Sequence, residues 1–245
     1  INCILQLLTF DKGDICLFGE PMTPTRYDLK RKIGVVPQNV ALFEELTVRE
    51  NIDFFCALYV DDRRERARLV DEAIAFVGLE DYVKFRPRKL SGGLLRRLNI
   101  ACGIAHRPRL AFFDEPTVAV DPQSRNAILE EVEEICSRIM IMDRGRSVAV
   151  GTNVELKALV GAGERIIVEV AALGDAVRGR LASLPHVRRV TYTEPELVVQ
   201  CEQGGHNVGD VLGVLADAGC AVGRVYAEPP TLNDVFLEIT GKELR

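Results

Sequence analysis

Leu90-Ser91-Gly92-Gly93, followed one helix length later by Leu110-Ala111-Phe112-Phe113-Asp114-Glu115-Pro116, decides the fold of this chain. Ser91-Gly92-Gly93 stands just before a helical stretch, Leu94 to His106, so Ser91 can cap the helix while glycine amides and the helix dipole face an anion. A phosphate group suits that position. The next segment is a short unbroken apolar run, the pattern of a parallel strand buried on both faces, and it delivers Asp114 and Glu115 to the strand's carboxyl end. One carboxylate can serve Mg²⁺ and the other a water. Each half alone says little, since Ser-Gly-Gly is a common helix start and many apolar strands end in Asp-Glu.

Order and spacing add weight. Upstream, Ile33-Gly34-Val35-Val36-Pro37-Gln38 reads as another buried strand that ends in a glutamine. Downstream, Ala119-Val120-Asp121-Pro122 offers Asp121 as a helix N-cap and Pro122 at the first helical position. Together the four segments resemble the Q-loop, signature loop, Walker B strand and D-loop of an ATP-binding cassette (ABC) ATPase. The resemblance covers nearly the whole chain. It implies an α/β, P-loop NTPase-like ABC cassette with a parallel-sheet core and a helical subdomain at about 44–106.

The chain's 245 residues, 47% hydrophobic and 27% charged, supply core for one large or two modest domains of a soluble globular protein. A formal net charge of -5 argues against a general nucleic-acid binder. Lys84, Arg86, Arg88, Lys89, Arg96 and Arg97 crowd around the signature loop, although a solvated charged face explains most of them equally well. Seven cysteines without a C-x-x-C pair fit a reducing cytosol and buried thiols rather than disulfides or zinc. The three histidines lack metal-ligand spacing, and His106 reads as a capping or surface residue. No uncharged stretch reaches the length of a membrane span and no signal peptide is visible, so a membrane role would be peripheral.

Ile1 to Phe10 reads as an apolar helical run, and Ile15 to Gly19 as strand-like. Thr47 and Glu50 form a capping box ahead of Ile52, Phe55, Ala57 and Leu58. A second helix carries Leu69, Val70, Ala73, Ile74 and Val77 and stops at Gly78. After Pro122, Ile128, Val132, Ile135 and Ile139 continue one helical face, and strands are expected at Arg138 to Asp143 and Arg146 to Val150. Residues 151–163 read as a connector. Beyond them the order is strand Arg165 to Val170, helix Asp175 to Leu184, strand Val187 to Thr193, strand Leu197 to Cys201, helix Val208 to Ala218 and strand Val222 to Ala227. That βαββαβ order predicts a ferredoxin-like domain over 164–245, after an ATP-binding domain over 1–160. A last helix is capped by Thr231 and ended by Gly241. Its run Pro230 to Glu238 resembles the tail motif of ATP-binding subunits in drug-exporter ABC systems.

Two segments of the family pattern are missing. No G-x-x-x-x-G-K-[ST] phosphate loop occurs, and the run at Ile1 to Leu5 resembles the helix that follows such a loop. The strand and switch histidine expected beyond the D-loop helix are also absent. Either segments have been left out, or the protein is a degenerate cassette; intact residue types at Gln38, Ser91, Asp114 and Glu115 favour the first. An unbroken apolar period from Ile128 to Ile139 favours the second. Omission predicts a chain jump between Ile128 and Ile135, and degeneracy a continuous helix from Pro122 to about Arg138.

The resemblance implies residue roles. Ser91, Gly92 and Gly93 would hold the γ-phosphate of ATP bound by a second ABC cassette, in a homodimer. Asp114 and Gln38 would serve Mg²⁺, through water for Asp114, and Glu115 would be the general base. Asp121 would cross the dimer interface. Leu94 departs from the family's usual glutamine, which implies altered packing. The implied activity is transport-coupled ATP hydrolysis with an integral-membrane permease as partner, on the cytoplasmic face of the membrane, exporting a drug, a lipid or a similar compound. The alternatives are a degenerate interaction module and a non-transport ABC ATPase acting on ribosomes or DNA.

Overall fold

The computed structural model describes residues 1–116, 128–129, 132–159, 162–202, 207–228 and 230–240. They gather into two compact units, Ile1–Glu131 and Val132–Glu243.

In the first unit, β1 (Cys16–Leu17) and β2 (Glu20–Pro21) form a hairpin. Its turn residues Phe18 and Gly19 have φ of 56° and 84°, the left-handed pair that a two-residue hairpin loop needs. A short α1 (Tyr27–Lys30) leads into β3 (Ile33–Val36). Three helices follow, α2 (Val48–Ala57), α3 (Arg63–Phe76) and α4 (Gly92–Ile104), before β4 (Leu110–Phe113) pairs parallel with β3, Ile33 opposite Leu110 and Val36 opposite Phe113. A parallel partner requires a long crossover, and the helices supply it.

Local chemistry fixes the helix ends. The Thr47 side chain accepts from the Glu50 N–H while the Glu50 carboxylate accepts from the Thr47 N–H at 2.8 Å, the expected capping box. Asp62 caps α3. That helix ends in a Schellman motif: Gly78 takes φ 62°, its N–H bonds the Ala75 carbonyl, and the Leu79 N–H bonds the Ile74 carbonyl. Val48, Ile52, Val70, Leu98 and Ile100 fill the core between the helices. Asn51, fully buried, accepts from the Phe43 N–H and donates to the carbonyls of Phe43, Leu46 and Thr47, so it organises the loop ahead of α2.

Close approach of β3 to α4 depends on two glycines. A Cβ on Gly34 would lie 2.4 Å from the Gly103 carbonyl oxygen, and one on Gly103 would lie 2.7 Å from a Val36 methyl. Neither backbone can retreat without moving its element.

In the second unit, residues 132–135 are helical, and β5 (Ile139–Asp143) and β6 (Arg146–Gly151) form a hairpin turning through Arg144 and Gly145, both left-handed. Then come α5 (Asn153–Leu159), β7 (Ala162–Val170), α6 (Asp175–Ala182), β8 (Val187–Thr193), β9 (Glu196–Glu202), α7 (Asn207–Asp217), β10 (Val222–Glu228) and α8 (Leu232–Thr240). The sheet order β10-β7-β9-β8, antiparallel throughout, is ferredoxin-like. Ile166, Val168, Leu197 and Val199 of the sheet pack with Leu181 of α6 and Leu215 of α7.

The tail motif builds its own cap. Asp234 accepts from the Thr231 N–H at 2.8 Å and hydroxyl at 2.7 Å, and from Gln200 at 2.5 Å, while the Leu232 N–H donates to Glu133 at 3.0 Å.

Some expectations are corrected. Ile1 to Phe10 is a turn rather than a helix: the Leu5 N–H bonds the Ile1 carbonyl, then Gln6 turns left-handed at φ 57° and ends the turn, with Leu7 and Leu8 exposed. β4 is only half-buried, because among the described residues it has a single partner strand, β3. The connector contains α5, and β7 starts at Ala162. Asp121, Pro122 and, within the window from Ile128 to Ile135 where a chain jump was expected, residues 130–131 lie outside the described residues.

Gly34→Ala should lower stability by about 1–3 kcal/mol, the usual cost of overpacking. Gly213→Ala in α7, where a Cβ meets nothing within 4 Å, should raise it by about 0.5–1 kcal/mol through helix propensity. Denaturant melts of the two variants check the contrast; equal effects would contradict the packing described.

Candidate nucleotide site

The carboxyl ends of β3 and β4 bring the predicted hydrolytic residues together. Gln38 Nε2 donates to Glu115 Oε2 at 2.7 Å, joining residues 77 positions apart in the chain. Asp114 continues the ladder, its N–H bonding the Val36 carbonyl at 2.9 Å. Gln38, Asp114 and Glu115 are all exposed. Glu115 has φ 45°, a left-handed backbone that costs a side-chain-bearing residue on the order of 1–2 kcal/mol. Such strain persists where the surroundings enforce it.

Ser91 caps α4 by accepting from the Leu94 N–H at 3.3 Å. Ser91 and Gly92 are exposed, and a Cβ on Gly92 would meet nothing within 4 Å, whereas Gly93 is buried. The helix therefore starts at Gly92, two residues before the expected Leu94, because the serine cap recruits both glycines.

One residue taken for a surface charge is buried. Arg96, in the second turn of α4, is 3% exposed, and its guanidinium donates to five backbone carbonyls. Nε bonds Pro116 at 2.6 Å, one terminal nitrogen bonds Pro37 at 2.9 Å and Gln38 at 2.8 Å, and the other bonds Glu115 at 2.9 Å and Asp114 at 3.4 Å. Burial lowers its pKa from the usual arginine value, with the Asp114 charge opposing that shift. Asn99, also buried, donates to the Pro37 carbonyl at 3.1 Å and accepts from the Ala41 N–H at 3.3 Å. A signal for this existed: Gly93, Arg96, Ile100 and Gly103 recur at helical spacing, and Gly103 is where α4 meets β3. By contrast Lys84, Arg86, Arg88 and Lys89 are exposed, and Arg88 pairs with Glu44 at 2.7 Å.

His106 anchors the other end of α4. It is no surface residue: its ring stacks on Tyr59, centroids 3.7 Å apart, and Nε2 lies 3.2 Å from the Ile33 carbonyl oxygen at the start of β3. Nδ1 is buried with no partner.

The donor set suits Mg²⁺. That ion takes one or two protein oxygens and fills its remaining positions with phosphate and water. Asp114 and Gln38 supply such oxygens, and no group of three or more His, Cys, Asp and Glu side chains gathers for a metal among the described residues.

Parallel strands with an amide and two carboxylates at their carboxyl ends, and a glycine-started helix nearby in sequence, define a nucleotide-binding cassette. The family described as ABC transporter matches residues 1–118, and that described as ATP-binding protein DrrA1-3-like, C-terminal domain, matches residues 151–240. The linearmycin resistance ATP-binding protein LnrL of Bacillus subtilis (strain 168) is 34% identical over 268 aligned positions, covering 100% of this chain and 86% of that protein. The daunorubicin resistance ATP-binding protein DrrA3 of Streptomyces coeruleorubidus is 33% identical over 270, covering 100% and 84%. The Nod factor export ATP-binding protein I of Rhizobium meliloti is 32% identical over 265, covering 99% and 76%. Two solved structures share the fold: the ATP-binding subunit of an ABC transporter (TM-score 0.50, 23% identity, 65% of this chain and 75% of that one) and cbiO1 from Clostridium perfringens, part of the cbiONQ ABC transporter complex (TM-score 0.54, 21%, 75% and 78%). This chain belongs to the ATP-binding subunits of ABC transporters. Alignments longer than its 245 residues mean that LnrL and DrrA3 carry residues inside the matched span that have no counterpart here.

Burial holds the His106 pKa below its ordinary 6.5, because the charged ring would bury an unpaired Nδ1–H. The sign follows from a depressed folded-state value: the contribution is complete above about 6.5 and is lost as pH falls through the folded pKa. His106→Phe keeps the stack and removes the titration, so its stability should change less between pH 7.5 and 5.5 than that of the wild type. Parallel pH slopes in urea melts would contradict this.

Proposed function

We propose that Glu115 is the general base of an ATPase that powers export through a separate integral-membrane permease. The Gln38–Glu115 hydrogen bond at the carboxyl ends of β3 and β4 carries this reading. A carboxylate held by an amide N–H is aimed, as a base for water must be. The Gln38 side chain offers its oxygen on the same amide and would hold Mg²⁺ with it, while Glu115 would accept the proton of the attacking water. Asp114 would hold Mg²⁺ through water. Bound Mg²⁺ would supply charge neutralisation between phosphate oxygens.

Ser91, Gly92 and Gly93 serve the γ-phosphate of ATP held by a second cassette in a homodimer, and Asp121 crosses that interface. The ATP-binding domain spans 1–160 and the ferredoxin-like domain 164–245, a division supported by the two family matches at 1–118 and 151–240. The protein acts at the cytoplasmic face of the membrane as a peripheral subunit; among the described residues no helix is long and apolar enough to cross a membrane. Relatives named for resistance to linearmycin and daunorubicin, and for Nod factor export, support export of a hydrophobic drug, lipid or similar compound.

In a form of the protein that carries a phosphate loop, Glu115→Gln should keep ATP affinity and lower turnover by about two orders of magnitude or more. ATP-bound pairs should accumulate on size exclusion. Turnover near wild type would remove Glu115 as the base. The 245-residue chain alone, without a phosphate loop, should bind ATP weakly and release no phosphate above background. Mg²⁺-dependent turnover by that chain would contradict this.

A further inference from the structure

We infer that Arg96 is a positioning residue for hydrolysis, setting the spacing between the main chains of Gln38 and Glu115. The inference rests on the proposed role of Glu115 and adds a residue that acts through it.

The backbone itself cannot hold these residues. The parallel ladder of β3 and β4 extends as far as the bond from the Asp114 N–H to the Val36 carbonyl. Continued for another step on that side, it would need an N–H from residue 116 to reach the Gln38 carbonyl, and residue 116 is proline, which has none. Arg96 supplies the missing donor, bonding Gln38 at 2.8 Å, and ties the same guanidinium to Glu115 at 2.9 Å on the opposite segment. Pro37, ahead of Gln38, and Asp114 and Pro116, on either side of Glu115, are bonded as well.

The match of donors to acceptors is complete. A guanidinium has five N–H donors in a fixed plane, and five carbonyls receive them. Lysine has three donors at one point and cannot reach the same set. A buried charge is costly unless it is fully hydrogen-bonded, and here it is neutral carbonyls that compensate it. The left-handed Glu115 is thereby held from its own carbonyl oxygen. Since Arg96 stands on the helix that Ser91 caps, α4 also carries the glycine-started loop to a fixed offset from the base.

The test uses the full-length protein, comparing Arg96→Lys, Glu115→Gln and the double variant under single turnover. Arg96→Lys should lower kcat at least about tenfold while ATP Kd, measured per binding-competent site, stays within about threefold. The double variant should be no slower than Glu115→Gln alone, because Arg96 works through the residue already removed. A kcat per ATP-binding site equal to wild type would overturn the inference, as would losses that multiply in the double variant. Should Arg96→Lys fail to fold, arginine side-chain NMR of the wild type decides: the Arg96 Nε–H resonance should shift when ATP and Mg²⁺ are added, and an unchanged resonance would overturn the inference. Turnover surviving in Glu115→Gln would defeat the assignment of the base instead, a result separable from every outcome for Arg96.

Discussion

A buried guanidinium surrounded by carbonyl oxygens holds together what the sheet of the first unit leaves apart. Pro37 and Pro116 end the hydrogen bonding between β3 and β4 just where Gln38 and Glu115 must face one another, and Arg96 closes that gap. Asn99, a turn later on α4, fixes the far side of the Gln38 segment through Pro37 and Ala41. At the other end of the helix the glycine contact between Gly103 and Gly34 and the His106 bond to Ile33 bring α4 and β3 into a single block. Gln38, Asp114 and Glu115 are exposed, but the backbone beneath them is held by buried groups.

That arrangement separates chemistry from support. Exposed side chains at strand ends can reach nucleotide and water, while a buried helix face keeps their spacing. The second unit shows a comparable division: a ferredoxin-like sheet carries the core, and the tail motif spends its polar residues on its own cap and on Gln200 and Glu133. Asp234 there reads as structural, since it accepts from Gln200 and from the Thr231 N–H and hydroxyl.

Much of this was legible in the residues. Caps at Thr47 and Ser91, the stop at Gly78 and the βαββαβ order follow from local rules that require only neighbouring residues. The two apolar strands ending in Gln38 and in Asp114-Glu115 were legible as well, and the structure pairs them in parallel with Gln38 bonded to Glu115. Arg96 was missed because charge was read as exposure, although its place on the Gly93, Ile100 and Gly103 stripe pointed inward. His106 was misjudged for a related reason: its partners Tyr59 and Ile33 are distant in sequence, and neither has a local signal. Ile1 to Phe10 failed as a helix because apolar spacing says nothing of the left-handed turn at Gln6.

The central claim is that Gln38, Asp114 and Glu115 form a magnesium-nucleotide site at the ends of β3 and β4. A crystal structure of full-length Glu115→Gln with ATP and Mg²⁺ tests it most directly. The account predicts Mg²⁺ about 2.1 Å from the Gln38 side-chain oxygen, a water between the metal and Asp114, and residue 115 beside the γ-phosphate. Nucleotide bound elsewhere, or Mg²⁺ coordinated without Gln38 and Asp114, would contradict it.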